Sequence, residues 1–172
     1  LLVIVNVFQV RRAEGGSKTF KFHEENFPPL QFGNESYRFL APLEVELKTE
    51  NVGKSLLVNG KISSVIAVIC SRCLKEFSYN LKIAFEDEWI PAEFASEAED
   101  DSILVFEKDE FPIDDRIVEH MLLQLPFKFL CSEDCRGLCL KCGADRNVNP
   151  CACSTEDIDP RLEILSKWNK GV

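Results

Sequence analysis

Cys131-Ser-Glu-Asp-Cys135-Arg-Gly-Leu-Cys139-Leu-Lys-Cys142-Gly143, followed by Cys151-Ala-Cys153, gathers six of the eight cysteines of this 172-residue chain into one short segment. The remaining two form Cys70-Ser-Arg-Cys73. Eight thiols suffice for two four-cysteine zinc sites, and ligands running from residue 70 to residue 153 would organise most of the fold. In Cys139-x2-Cys142-Gly143 the turn aims backbone N–H groups at the first thiolate, and glycine permits a left-handed residue after the second. Cys151 and Cys153 then complete a tetrahedron, with Asn147–Asn149 and Pro150 tightening the return. Cys70, Cys73, Cys131 and Cys135 form the second set by stoichiometry, Leu74 replacing the glycine of the better knuckle. Swapped combinations, a single occupied site and a redox-active C-x2-C remain alternatives at this point.

Around these segments the chain reads as α+β: an antiparallel β-sheet, barrel-like in outline, with helices late in the chain and zinc-knuckle or ribbon loops. Residues 1–10 read as an apolar strand that is neither a membrane span nor a signal peptide. A loop begins near Gly15-Gly16 and is punctuated by Pro28-Pro29. Leu43-Glu-Val-Glu-Leu47 alternates as a half-buried strand does, and Leu56–Val58 and Ile62–Ile69 continue the pattern. Asn59-Gly60 marks a tight turn or a bulge within one long strand. Phe77, Tyr79, Leu81, Ile83 and Phe85 alternate strictly. Residues 91–101 read as an acidic loop and Ser102–Phe106 as a short strand. Ile113, Ile117, Met121 and Leu122 have helical spacing from about Asp114, with Pro126 beyond the end. Asp159 as N-cap, with Pro160 after it, predicts a final helix presenting Leu162, Leu165 and Trp168. Two regions follow: 1–125, a β-rich core with an acidic insertion (86–119) and one helix, and 126–172, a cysteine-rich zinc-binding segment with the C-terminal helix, packed on the core as one unit.

The net charge of −9 is unevenly spread. Residues 86–119 carry 14 Asp and Glu against Lys108 and Arg116, and the rest of the chain is weakly basic. The acidic stretch reads as a solvated face or loop, with docking on a basic protein or mimicry of nucleic acid as its functional alternative. Basic residues cluster near the cysteines: Arg72, Lys75, Lys128, Arg136, Lys141 and Arg146. They balance the thiolates electrostatically, and they are also the candidates for phosphate contact by a zinc-braced, RNA-facing surface. A catalytic zinc would keep an open position with His or carboxylate among its ligands. Here four thiolates are available per metal, and His23 and His120 lie outside the clusters. The metal is therefore structural, and no catalytic residue is assigned. No Gly-rich phosphate loop, H-E-x-x-H or G-x-S-x-G is present. The compartment is taken to be reducing, the cytoplasm, where clustered cysteines are more often metal ligands than disulfides.

Cys70-Ser-Arg-Cys73-Leu74 with Phe77, Leu125-Pro126, Cys131-x3-Cys135-Arg-Gly-Leu-Cys139-x2-Cys142-Gly143, Cys151-x-Cys153 and Asp159-Pro160-Arg161 together resemble the YceD family. These are the large ribosomal RNA subunit accumulation proteins, and the resemblance spans roughly residues 40–165. Leu140 stands where a proline is common and Arg146 where an apolar residue is frequent; neither departure removes a ligand. The resemblance implies a non-enzymatic role in ribosome biogenesis, promoting accumulation or processing of large-subunit ribosomal RNA. Its expected partners are precursor RNA, ribosomal proteins or both, with no membrane and no small-molecule substrate; the two structural zinc ions expected as cofactors come from the cysteines themselves. A protein–protein adaptor without RNA contact is the first alternative. A nuclease or thiol oxidoreductase is the second.

Overall fold

The computed structural model describes residues 4–97, 103–153 and 161. The chain forms two compact units, one of Leu1–Val68 with Glu76–Phe127 and one of Ile69–Lys75 with Lys128–Val172. The first unit contains β1 (Ile4–Asn6), α1 (Phe8–Arg11), β2 (Ser17–Glu24), β3 (Leu30–Phe32), β4 (Glu35–Tyr37) and β5 (Leu43–Asn51). It continues through β6 (Leu56–Ile69, whose last residue falls in the second unit), β7 (Glu76–Pro91), a 3₁₀ turn (Ala92–Glu97), β8 (Leu104–Phe106), β9 (Glu110–Pro112) and α2 (Asp114–Gln124). Five strands make the main sheet in the order β2-β5-β6-β7-β8, while β1–β9 and β3–β4 form separate two-stranded ribbons.

Alternation along the strands gives the sheet one dry face. On β5, Leu43, Val45, Leu47, Thr49 and Asn51 are buried while Glu44, Glu46, Lys48 and Glu50 turn outward. The same period runs through β7, from Leu81 through Ile83 and Phe85 to Trp89. Only residues 70–75 join β6 to β7, so this pair is antiparallel, whereas residues 92–103 are long enough for β8 to return parallel to β7. The sheet is therefore open and mixed, not barrel-like. Its end strands β2 and β8 do not pair with each other, and β8 is too short and wrongly directed to close it.

Other differences from the sequence reading have local causes. Residues 1–10 do not make one strand: β1 stops at Asn6, whose Oδ1 accepts the Phe8 N–H (3.2 Å) and turns the chain into α1. The expected loop after Gly15-Gly16 contains β2, paired with β5 from Ser17↔Glu50 to Glu24↔Leu43. Asn59-Gly60 is neither turn nor bulge, because pairing runs unbroken through Lys48↔Asn59, Leu47↔Gly60 and Glu46↔Lys61. Glycine is required there by a neighbour: a Cβ at Gly60 would lie 2.1 Å from the Phe85 ring. That ring in turn stacks on the His120 imidazole at 4.0 Å.

The expected helix is α2, with Ile117 and Met121 buried beside Ile113. The acidic segment 86–119 keeps most of its described acids exposed, but it is not one loop. It runs through the end of β7, the 3₁₀ turn, β8, β9 and half of α2, and Asp87 within it is buried. Arg116 donates twice to Asp87 (3.1 and 2.5 Å), and His120 Nε2 lies 3.1 Å from both oxygens of the same carboxylate. His120 is thus a satisfied histidine. Trp89 stacks on Phe111 at 4.3 Å beneath the β1–β9 ribbon, which fixes that end of the core. The helix expected from Asp159 lies outside the described residues.

Candidate metal centres

All eight cysteines fall in the second unit, and all are free thiols. Cys70 and Cys73 stand on a tight turn in which Cys70 N–H donates to Lys75 O and Leu74 N–H to Cys70 O, both at 2.9 Å. Leu74 completes the turn in the left-handed region (φ 59°), a conformation that costs a non-glycine residue about 1 kcal/mol. Segment 129–138 is hydrogen-bonded to this turn. Ser71 N–H donates to Phe129 O (2.8 Å) and Leu138 N–H to Arg72 O (3.0 Å). The Arg72 guanidinium donates to the carbonyls of Glu133 (3.1 Å) and Cys135 (2.9 Å). Gly137, at φ 66°, lets the backbone pass against Arg72, where a Cβ would meet the Arg72 carbonyl at 2.8 Å.

These constraints bring Cys70, Cys73, Cys131 and Cys135 together with every Sγ within 4.8 Å of the others. Cys70 and Cys135 sulfurs are 3.8 Å apart, and those of Cys73 and Cys131 are 3.6 Å apart. A tetrahedral ion with metal–sulfur bonds of about 2.3 Å has sulfur–sulfur edges of about 3.8 Å, whereas a disulfide needs about 2.05 Å. The spacing is that of ligands around a common centre.

Cys139, Cys142, Cys151 and Cys153 make a second set with the same mutual limit of 4.8 Å. Gly143 N–H returns to Cys139 O and Cys139 N–H donates to Ala144 O, both at 2.8 Å, with Gly143 at φ 73°. Asp145 and Asn147 hold the return loop; the sequence singles out Asn147 there but not Asp145. The Asp145 carboxylate accepts the Asn147 backbone and side-chain N–H groups at 2.9 and 2.7 Å. The Asn147 side chain then reaches the other set, accepting Arg136 N–H (2.8 Å) and donating to Cys135 Sγ (3.5 Å). One asparagine therefore bridges the two loops.

The thiols show what chemistry these sets suit. Burial disfavours the Cys70 thiolate, but backbone N–H groups of Cys131, Cys73 and Arg72 outweigh it and bring its pKa down to about 6. Backbone N–H groups of Cys142 and Lys141 bring Cys139 likewise down to about 6. Hydrogen bonding to Cys135 pushes Cys131 up to about 12, and bonding to Cys142 pushes Cys153 up to about 12. Each set thus pairs a thiol whose pKa is held low with one whose pKa is held high, because negative charge on several neighbouring sulfurs is mutually opposed. A divalent cation resolves that conflict, and an all-thiolate tetrahedral donor set fits zinc.

The six basic residues lie in this same unit but in different settings. Arg72 is spent on the 133–135 carbonyls, and Arg146 points a guanidinium nitrogen at Cys139 Sγ (3.8 Å). Lys75, Lys128, Arg136 and Lys141 have exposed side chains.

The family model described as large ribosomal RNA subunit accumulation protein YceD matches residues 58–168, a stretch that contains all eight cysteines. An uncharacterized protein of Mycobacterium tuberculosis (strain H37Rv) is 27% identical over 165 residues, covering 94% of this chain and 78% of the relative. YlbN of Bacillus subtilis, also uncharacterized, is 28% identical over 138 residues, 80% of either chain. The large ribosomal RNA subunit accumulation protein YCED homolog 1, chloroplastic, of Arabidopsis thaliana is 28% identical over 146 residues, 69% of this chain and 46% of that protein. No solved structure matches.

Proposed function

This chain belongs to the YceD family of large ribosomal RNA subunit accumulation proteins, and from that premise we propose that it is a non-enzymatic ribosome-biogenesis factor acting as a metal-braced scaffold. Two structural zinc ions brace it, one held by Cys70, Cys73, Cys131 and Cys135 and the other by Cys139, Cys142, Cys151 and Cys153. The observation that carries the reading is the convergence of both thiol sets in the unit that also holds the six basic residues. Zinc supplies cross-links there and no chemistry on a substrate: four thiolates fill a tetrahedral shell. The chain's own residues do the rest. Asn147 and Arg72 fix the loops relative to each other, and Arg146 offsets thiolate charge.

Lys75, Lys128, Arg136 and Lys141 are the residues proposed to meet the phosphates of a large-subunit ribosomal RNA precursor, in a reducing compartment such as the cytoplasm. Among the described residues no helix is long and apolar enough to cross a membrane. Arg72 and Arg146 act through the loop geometry instead. Four phosphate contacts on single-stranded RNA give a log–log salt slope of about −3. Anisotropy titration of zinc-loaded protein against large-subunit RNA fragments over a salt series tests this, with the four residues changed together to Gln as the control. A slope near zero, or binding only to a basic ribosomal protein, would replace the RNA reading with the protein–protein adaptor. Co-sedimentation with precursor large-subunit particles tests the pathway itself.

A further inference from the structure

β2 ends the five-stranded sheet, and no other described strand pairs with its second edge. Which backbone groups face that edge follows from its pairing with β5. The Lys18 carbonyl accepts Thr49 Oγ1–H (3.1 Å) and the Gly16 carbonyl accepts Asn51 N–H (2.9 Å), so the even-numbered residues bond inward. Alternation then turns the N–H and C=O groups of Ser17, Thr19, Lys21 and His23 to the open edge. Such a row is a template for another strand.

The side chains on the inner face of β2 are Lys18, Phe20, Phe22 and Glu24, and both phenylalanines are only half-buried. Lys18 holds its ammonium 4.9 Å from the Phe20 ring centre, and Glu24 accepts the Asn26 backbone N–H at 3.0 Å. Neither charge has an ion-pair partner among the described residues. Read in either direction, the row is a charge, two aromatics and the opposite charge. It is complementary to itself in an antiparallel arrangement.

We propose that β2 is a homodimer interface, joining two copies antiparallel about a two-fold axis through Lys21 into one continuous sheet. The axis fixes the register. It sets Lys21 opposite its own copy as a hydrogen-bonded pair, with Thr19 opposite His23. Phe20 then faces Phe22 of the second copy, and Lys18 faces Glu24, each twice by symmetry. These are the non-hydrogen-bonded positions, where facing side chains approach most closely. An axis through Phe20 sets Lys18 against Phe22, and one through Phe22 sets Phe20 against Glu24, so either leaves a charge facing an aromatic. The two Lys21 side chains meet on the outer face, where each is already held by Glu46 of its own chain at 2.7 Å.

Sedimentation velocity of the zinc-loaded full chain over a concentration series reads this out. The wild type dimerises, and Lys18→Glu and Glu24→Lys each weaken dimerisation by roughly ten- to a hundredfold, since both symmetric pairs change from attraction to repulsion. Mixing those two variants restores a dimer, because one copy then carries two acids and the other two lysines. The double variant restores it too. Thr19→Pro removes an N–H that faces only the open edge, giving a monomer with an unchanged circular dichroism spectrum. A wild type that stays monomeric throughout, or a dimer indifferent to Lys18→Glu, or a mixture that fails to recover, overturns the proposal.

Discussion

Gly137→Ala and Gly143→Ala form a matched pair that isolates how the first metal loop is built. Both glycines are left-handed, at φ 66° and 73°, so both alanines incur the same conformational cost of about 1–2 kcal/mol. Their surroundings differ. At Gly143 nothing lies within 4 Å of an added Cβ, whereas at Gly137 it meets Arg72 O at 2.8 Å and Arg72 Cβ at 3.2 Å. That carbonyl cannot retreat cheaply, because it accepts Leu138 N–H at 3.0 Å and the same turn carries Cys70 and Cys73. Overpacking of this kind costs about 1–3 kcal/mol. Gly137→Ala should therefore weaken zinc at the Cys70 set by roughly ten- to a hundredfold more than Gly143→Ala weakens zinc at its own set, at about 1.4 kcal/mol per decade. Competition with a chromophoric chelator, resolved by site with Cys142→Ser and Cys73→Ser backgrounds, gives both affinities. Equal losses at the two positions would refute the account of Gly137 as the residue that lets the two loops close on each other.

Native mass spectrometry of freshly reduced protein should find two zinc ions per chain, falling to one in Cys142→Ser; a metal-free wild type prepared without chelator would sink the structural-zinc account. Gly60→Ala should destabilise the first unit by about 1–3 kcal/mol in urea unfolding, and Phe85→Leu in that background should recover part of the loss, since the Phe85 ring occupies the space. His23 is raised above its usual 6.5 by its hydrogen bond and charge interaction with Glu44, so its NMR titration midpoint should lie above that value and drop in Glu44→Gln. Because the folded pKa is the higher one, any stability it contributes is present at low pH and fades as pH rises through that midpoint.

The legible parts of this fold are those where one period persists. β5 and β7 alternate without interruption, and α2 announces itself through Ile113, Ile117 and Met121. β2 escaped because its pattern rests on Phe20 and Phe22 alone, among charges, on a strand with little to bury. Asp87 could not be told from the other acids around it: its burial depends on Arg116 and His120, which arrive from another element. Gly60 looked like punctuation because a glycine that makes room for a side chain on the next strand has the same local signature as one that turns. In the second unit, spacing suggested which thiols to group, and the structure brings the same thiols together. The role of Arg72 depends on a contact 63 residues away and that of Asn147 on one reaching across to the other thiol set, neither of which a local pattern carries.

The two thiol sets also differ in when they can be assembled during synthesis. Cys139 to Cys153 is a short local loop, complete almost as soon as it leaves the ribosome. Cys73 and its neighbour Cys131 are separated by 58 residues, and those residues carry β7 through α2. At roughly 5–20 residues per second, the first C-x2-C waits about 3–12 s for its partners. During that interval it is an exposed dithiol on a nascent chain, open to oxidation or to a stray ion. The Leu74 turn is closed by hydrogen bonds between Cys70, Leu74 and Lys75 alone, so these bonds need no residue beyond Lys75.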